Sequence, residues 1–531
     1  MDMKEIGDLV SRYEHAVTNS EKETSSMLQE IIEFARSYPV ELRKILRAYP
    51  CLLNRPSIED YIAEYSSVLG EDIAKGLVGD IKQLAQELIS RGKKKVVLFN
   101  ATYTAGGVAE MMPRLGHILS LVGIDLEWQM IRPSTASFYD VTKKMHDIIQ
   151  GANEELTKQE WAILEQVGRE NFELFSSIFY DEEVCAVFFE DPQVVGLMRY
   201  ALAQRLKGKL RKDILYSFRL HIDVSGIKTH HTGAMAIWSW IRDAIRQLYP
   251  HEKAMFQPYC VPEDMQYDGR VIEEPPGIDP LAPKNRLILK EEIFSVLDRL
   301  KVKEMRGRII PVDKASIVIG ARLDGWKGLF ESFLAALPII VEDNNLQLIL
   351  FGNVAPDAPD GRLIYEQIQK MLATPEAGAC RDRVFFVESP AGMEVGVLYR
   401  LAALSCMPYI AYSLKEGYNL MVVEAVMQGA LILVSNAGGL RRYKEAGYRW
   451  LVPLPEGLEH IKDPSHIEPG LRNELVKRIS TGLRDFISAS KDPAFRSNYE
   501  QESVYLKRHA YITSILPMAR DYLRIALGKN A

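Results

Sequence analysis

The stretch KEGYNLMVVEAVMQGALILVSNAGG, Lys415 to Gly439, decides the fold. Its centre reads as a helix from Leu420 to about Gln428, followed at once by a continuous apolar run, Ala430 to Asn436. A helix feeding a strand that is apolar on both faces is the unit of a parallel α/β sheet, whose crossovers cover both sides. Asn419 stands as a cap ahead of that helix, so the first helical amides lack internal partners and, with the helix dipole, form an anion site. Glu416 lies just before the helix and Glu424 one or two turns inside it. Eight steps at about 100° each end roughly 80° past two full turns, so both carboxylates can face one ligand from different heights. Carboxylates suit paired sugar hydroxyls, which donate to them; the plainer reading makes them surface charges on a buried α/β helix.

Upstream, SIVIGAR (Ser316 to Arg322), LQLILFGN (Leu346 to Asn353), RVFFVE (Arg383 to Glu388) and SCMPYIAY (Ser405 to Tyr412) are strand-like runs completing one α/β unit. A Pro/Gly-rich stretch, EEPPGIDPLAPKN (Glu273 to Asn285), separates it from an earlier series. That series comprises VVLFN (Val96 to Asn100), LEWQMI (Leu126 to Ile131), AVFFE (Ala186 to Glu190) and ILYSFRLHIDV (Ile214 to Val224). The fold class is therefore α/β, with two doubly wound sheets facing a cleft, and ligands of such sheets bind beyond the carboxyl ends of the strands. Met1 to about Ser90 is helical in pattern, punctuated by Pro39 and Pro50. Tyr505 to Leu527 is helical too, with Pro517 forcing a break or kink.

The chain has 531 residues, 47% hydrophobic and 26% charged, which is enough for several buried cores and excludes a disordered chain or one small binding module. A net charge of −6 argues against nucleic acid as partner. Cys51, Cys185, Cys260, Cys380 and Cys406 are too far apart for a zinc or redox motif and read as reduced thiols of a cytoplasmic protein. No apolar run is long enough to span a bilayer, and MDMKEIGDLV lacks the pattern of a secretory signal. No membrane association and no metal site are expected.

At the end of one predicted strand, ARLDGWKG (Ala321 to Gly328) places Arg322 and Lys327 where two cations could hold a diphosphate and stabilise it as it leaves. A solvated loop is the competing reading. In FNATYTAGGVAE (Phe99 to Glu110), Gly106 and Gly107 would let the backbone approach a ligand, although the full dinucleotide pattern is missing and a plain turn serves equally well. His221 and Asp191 fall at strand ends on the ligand side, as acceptor-sugar ligands or as structural hydrogen-bonding residues. His230 and His231 lack zinc spacing and read as surface polar residues.

Together these residues resemble the retaining family 4 glycosyltransferases of the GT-B fold, and within them the trehalose synthases. The resemblance runs from about Ser57 to the carboxyl terminus through SIEDY, TAGGVAE, FYDVTKKMHDIIQG, EDPQ, LHID, EPPGIDPLAPKN, RLDGWKG, DAPDG and EGYNLMVVEA. After a helical extension (1–55), it implies an acceptor domain (56–280) and a donor domain (281–504), both Rossmann-like, and a terminal helix (505–531) crossing back to the first domain. It also implies residue roles. Arg322, Lys327 and Glu416 would be catalytic, with the two cations on the donor diphosphate. Glu424 would take the ribose hydroxyls, and Gly417, Tyr418, Asn419 and Leu420, with Gly106 and Gly107, would complete the donor site. Lys143, His146, Glu190, Asp191, Gln193 and His221 would surround the acceptor. The co-substrates would be a nucleoside diphosphate glucose and glucose, with no metal required; a homodimer remains open.

The pattern departs from those synthases in two places. Glu190 stands where they carry histidine, a feature similar to the related trehalose phosphorylases, and residues 1–55 have no counterpart in the shorter synthases. The expected activity is the synthase's, transfer of glucose with retention to glucose to form α,α-trehalose; the alternatives are a retaining phosphorylase working through phosphate or glucose 1-phosphate, and a catalytically silent sugar-binding or scaffold protein.

Overall fold

Parallel strands buried on both faces need uninterrupted apolar sequence, and these runs form two separate sheets. The computed structural model describes residues 56–101, 107–135, 137–227, 231–353, 360–458 and 467–529. The chain divides after Tyr61, and everything below concerns the unit Ile62–Ala531. The expected extension over residues 1–55 lies outside the described residues.

The first sheet contains β1 (Lys95–Asn100), β2 (Asp125–Met130), β3 (Val184–Glu190), β4 (Leu215–Leu220), β5 (Ala254–Phe256) and β6 (Val271–Glu273). Its order is β2-β1-β3-β4-β5-β6, with every pair parallel. The second contains β7 (Ala315–Gly320), β8 (Leu346–Gly352), β9 (Val384–Glu388), β10 (Tyr409–Ala411) and β11 (Ile432–Val434), ordered β11-β10-β7-β8-β9 and again parallel. The direction of winding reverses between β1 and β3 in one sheet and between β7 and β10 in the other, which opens a crevice at the strand ends there. The two-sheet GT-B architecture expected from the sequence is thus present. Among the described residues no helix is long and apolar enough to cross a membrane.

Some elements differ from expectation. β5 and β6 are three residues long, too short for periodicity to reveal, and β6 lies at the start of the presumed linker. The strand expected over Ile214 to Val224 stops at Leu220, where His221 turns into a loop. The terminal helical segment breaks at Thr513–Ser514, between helices Phe495–Ile512 and Ile515–Ala526. Pro517 falls in the first turn of the second helix, where a missing N–H costs no helical bond. His231 is half-buried and caps the helix Thr232–Ile245, its Nδ1 accepting from Gly233 N at 3.1 Å; His230 lies outside the described residues.

Two chain crossings join the sheets side by side. Ile515 N donates to Ile278 O of the linker at 3.0 Å. Helix Phe495–Ile512 serves the second sheet, where Leu431 N donates to the Tyr499 hydroxyl. Helix Ile515–Ala526 serves the first, with Tyr522 stacked on Phe188 of β3 at 4.4 Å between ring centres.

Candidate functional site

At the switch point of the second sheet, the loops after β7 and β10 are tied together. Asp324 accepts from Trp326 N at 2.9 Å, capping the short turn Gly325–Lys327, and pairs with Arg322 Nη2 at 2.6 Å. Burial raises the Asp324 carboxyl, but the charges of Arg322 and Lys327 outweigh it and hold the group below the usual range. Leu414 N donates to Trp326 O at 2.7 Å, locking one loop on the other. Lys327 then reaches Glu416, Nζ to Oε2 at 2.8 Å. The same Glu416 oxygen accepts from Ser413 Oγ at 3.1 Å, and Oε1 accepts from Gly417 N at 3.1 Å.

Asn419 adopts φ 69°, and its side chain accepts from Val422 N at 3.2 Å, so helix Leu420–Met427 begins where the sequence places its cap. The helix points its amino terminus at this corner and offers its first amides to an anion. Glu424, deep in that helix, is held by Lys284 of the linker at 2.8 Å and by the Tyr399 hydroxyl at 3.2 Å. Tyr418 turns away from the cleft: its hydroxyl donates to Thr513 Oγ1 at 3.2 Å, and the Arg442 guanidinium lies 3.9 Å from its ring centre. Arg442 also donates to Tyr418 O and Gly439 O, pinning the Gly438–Gly439 turn against the loop.

On the first sheet, His221 N donates to Asp191 Oδ1 at 2.9 Å. The His221 ring lies between Glu190 Oε2, 2.6 Å from Nε2, and Gln257 Nε2, 2.9 Å from Nδ1. Glu190, expected among the acceptor ligands, differs in placement. It is fully buried and its other oxygen accepts from the Tyr522 hydroxyl, so it backs His221 instead of lining the cleft. Lys143 pairs with Asp147 along its own helix, Ser137–Ile149, at 2.6 Å. His146, near Asp191 and Gln193, is pushed by burial below the usual imidazole range despite the opposing Asp191 charge. His146 and Gln193 are neighbours within this buried polar group, beside Asp191. Gly106 lies outside the described residues, and Gly107 begins the helix Gly107–Leu121.

The two sets of loops meet. Gly417 backs onto the carbonyl of His221 with no room for a Cβ. Cys260 Sγ lies 3.4 Å from Gly417 O, Arg441 lies 3.8 Å from Asp223, and the Tyr259 hydroxyl donates to Glu445. Lys415 bonds the Gln150 carbonyl and lies 4.2 Å from the centre of the Trp326 ring; burial brings its pKa down to about 8. Lys284, Tyr399, Gln257, Arg442 and Tyr522 were not found by sequence reasoning. Only the Lys in LAPKN carried a signal, as a cation in the linker.

The family described as trehalose synthase, N-terminal domain, matches residues 98–257. A trehalose synthase from Rubrobacter xylanophilus is 28% identical over 398 residues, covering 74% of this chain and 86% of its own. A trehalose phosphorylase from Grifola frondosa is 25% identical over 438 residues, covering 77% of this chain and 54% of its own. In fold, the chain resembles an alpha,alpha-trehalose-phosphate synthase (UDP-forming) from Burkholderia vietnamiensis, with TM-score 0.56, 14% identity, and 81% of this chain and 98% of that one covered. By these matches the chain is similar to the trehalose synthases, with the matched family region lying over β1 to β5 of the first sheet.

Proposed function

We propose that this chain transfers glucose, with retention at the anomeric carbon, from a nucleoside diphosphate glucose to free glucose, forming α,α-trehalose. The observation that carries the reading is the corner where Lys327 meets Glu416, which Ser413 ties to the Asn419 cap of helix Leu420–Met427, with Arg322 held by Asp324 in the same turn as Lys327. Arg322, Lys327 and the helix amides would bind the diphosphate. Lys327 would then divide its charge between Glu416 and the leaving oxygen. Glu416 and the amides from Gly417 to Leu420 would take the hydroxyls of the transferred glucose, and Glu424, steadied by Lys284, the ribose. His146, Asp191, Gln193 and the His221 segment would orient the acceptor.

In this reading the bond from the anomeric carbon to the leaving phosphate oxygen breaks, and the acceptor oxygen bonds the same face. The acceptor proton passes to the departing phosphate, so positioning and charge stabilisation supply the catalysis. The scheme makes no use of a metal ion. Among the described residues, Cys185, Cys260, Cys380 and Cys406 are free thiols, which fits a reducing compartment that we take to be the cytoplasm. We read the partners as a nucleotide sugar and glucose, with neither nucleic acid nor membrane, and light scattering tests for a homodimer.

A phosphorylase is the second reading. It is favoured by the match to a trehalose phosphorylase. The deciding experiment is a product assay with glucose as acceptor and UDP-glucose, ADP-glucose, GDP-glucose or glucose 1-phosphate as donor. Trehalose from a nucleotide sugar alone supports the synthase, trehalose from glucose 1-phosphate alone selects the phosphorylase, and no product refutes both.

A further inference from the structure

His221 stands one residue past the end of β4, beyond the ladder bonds that fix the strand, yet its carbonyl is the surface on which Gly417 rests. Its N–H is held by Asp191, and its ring by a chain of buried groups behind the cleft. Glu190 and Arg219 are both fully buried. The Tyr522 hydroxyl accepts from Arg219 Nη1 at 3.0 Å and donates to Glu190 Oε1 at 2.7 Å, and Glu190 Oε2 meets His221 Nε2 at 2.6 Å. Arg219 also donates to the carbonyls of Glu274 and Pro275, at 3.2 Å and 3.0 Å, which anchors the chain in the linker.

An ionised carboxylate only accepts, so His221 Nε2 carries the proton that meets Glu190, and with the Gln257 amide nitrogen facing the ring, Nδ1 accepts. Burial works against the Glu190 charge, but the hydrogen bond from His221, with the charge of Arg219 and the bond from Tyr522, more than offsets it and holds the carboxyl below its usual range. We propose that Glu190 is a positioning residue: braced by Tyr522 and Arg219, it fixes His221 as the Nε2–H tautomer and holds the His221 main chain at Gly417, where donor and acceptor loops meet. The proposal rests on reading this cleft as the glycosyl-transfer site. It makes the carboxyl-terminal helix part of the site's architecture through one hydroxyl.

The test uses the full chain. Glu190→Met keeps the bulk and removes the acceptor. Gln257 Oε1 is now buried without a partner, so in this variant the amide can turn and accept from Nδ1–H instead. Nitrogen-15 spectra of the imidazoles, assigned against His221→Asn, are expected to show the protonated nitrogen at Nε2 in the native chain and at Nδ1 in Glu190→Met. The kcat of Glu190→Met is expected to fall about 100-fold with KM for the nucleotide sugar nearly unchanged, as for a misplacement near 1 Å. Glu190→Gln keeps an acceptor for Nε2–H and is expected to retain the native tautomer and recover most of the turnover.

A native Nδ1–H tautomer overturns the proposal, as does Glu190→Met with native spectra or native kcat. If Glu190→Met does not fold, Tyr522→Phe decides: a several-fold fall in kcat at constant nucleotide affinity supports the proposal, and native kinetics overturn it. The tautomer is read without turnover. A chain that makes no trehalose from any donor therefore refutes the functional reading separately from the spectrum, which alone then upholds or overturns the tautomer assignment.

Discussion

Substituting alanine for Gly417 tests whether the two sheets must meet as closely as they do. The glycine is not in the left-handed region of backbone space, so the backbone itself accepts alanine. The conflict is purely with the other sheet: a Cβ would stand 3.3 Å from the carbonyl carbon of His221, 3.7 Å from Ile222 Cα, and closer still to the His221 oxygen. Carbon and oxygen need about 3.4 Å or more, so the loops must part by about 1 Å. The cations Arg322 and Lys327 and the helix cap stay as they are, because they belong to the Gly417 side of the seam. Nucleotide binding should persist, whereas transfer across the seam should slow about 100-fold, equivalent to about 2.7 kcal/mol of lost transition-state stabilisation. The assay is steady-state kinetics with the donor identified in the product screen, paired with titration of the nucleoside diphosphate by calorimetry. Native kcat in Gly417→Ala would refute the reasoning, and so would an equal loss of nucleotide affinity and turnover, which would mean that the substitution damages the donor loop itself.

Three further outcomes follow from the same geometry. Arg322→Ala is expected to lower turnover by about 100- to 1,000-fold, because the leaving diphosphate loses a donor, and to lower the melting temperature as well, because buried Asp324 loses the cation 2.6 Å away; native kinetics would remove it from the mechanism. Lys284→Met takes away the cation 2.8 Å from buried Glu424 and should cost about 3 kcal/mol, read as a lower urea midpoint; an unchanged midpoint would show that the pair contributes nothing net. Burial, against the opposing charge of Arg219, pushes the Glu274 carboxyl from its usual 4.5 up to about 8. The folded chain therefore binds the extra proton, and this contribution to stability is full below about pH 4.5 and lost as pH rises through about 8. Glu274→Gln should flatten that slope in denaturation series across the interval, and an unaltered slope would assign the titration to another group.

The amino-acid sequence by itself determined the features that depend on neighbours along the chain. Runs such as VVLFN and LQLILFGN cannot be solvated on either face, so they specify parallel strands; Asn419 can cap only the helix that follows it; Arg322 and Lys327 come from one turn at one strand end. β5 and β6 escaped because three residues carry no period, and they form only when a neighbouring strand offers its edge. Tertiary structure alone decided the partners. Lys327 meets Glu416 across 89 positions, and Tyr522 meets Glu190 across 332. Whether a carboxylate faces a ligand or a buried imidazole depends on which strands are adjacent and where a returning helix lands. Glu190 illustrates this: its place after a β-strand put it at the ligand end of the sheet, but the packing of helix Ile515–Ala526 over β3 enclosed it and turned it onto His221. Local propensity acts over a few residues, whereas a buried charge takes its partners from whatever the fold brings within hydrogen-bonding reach.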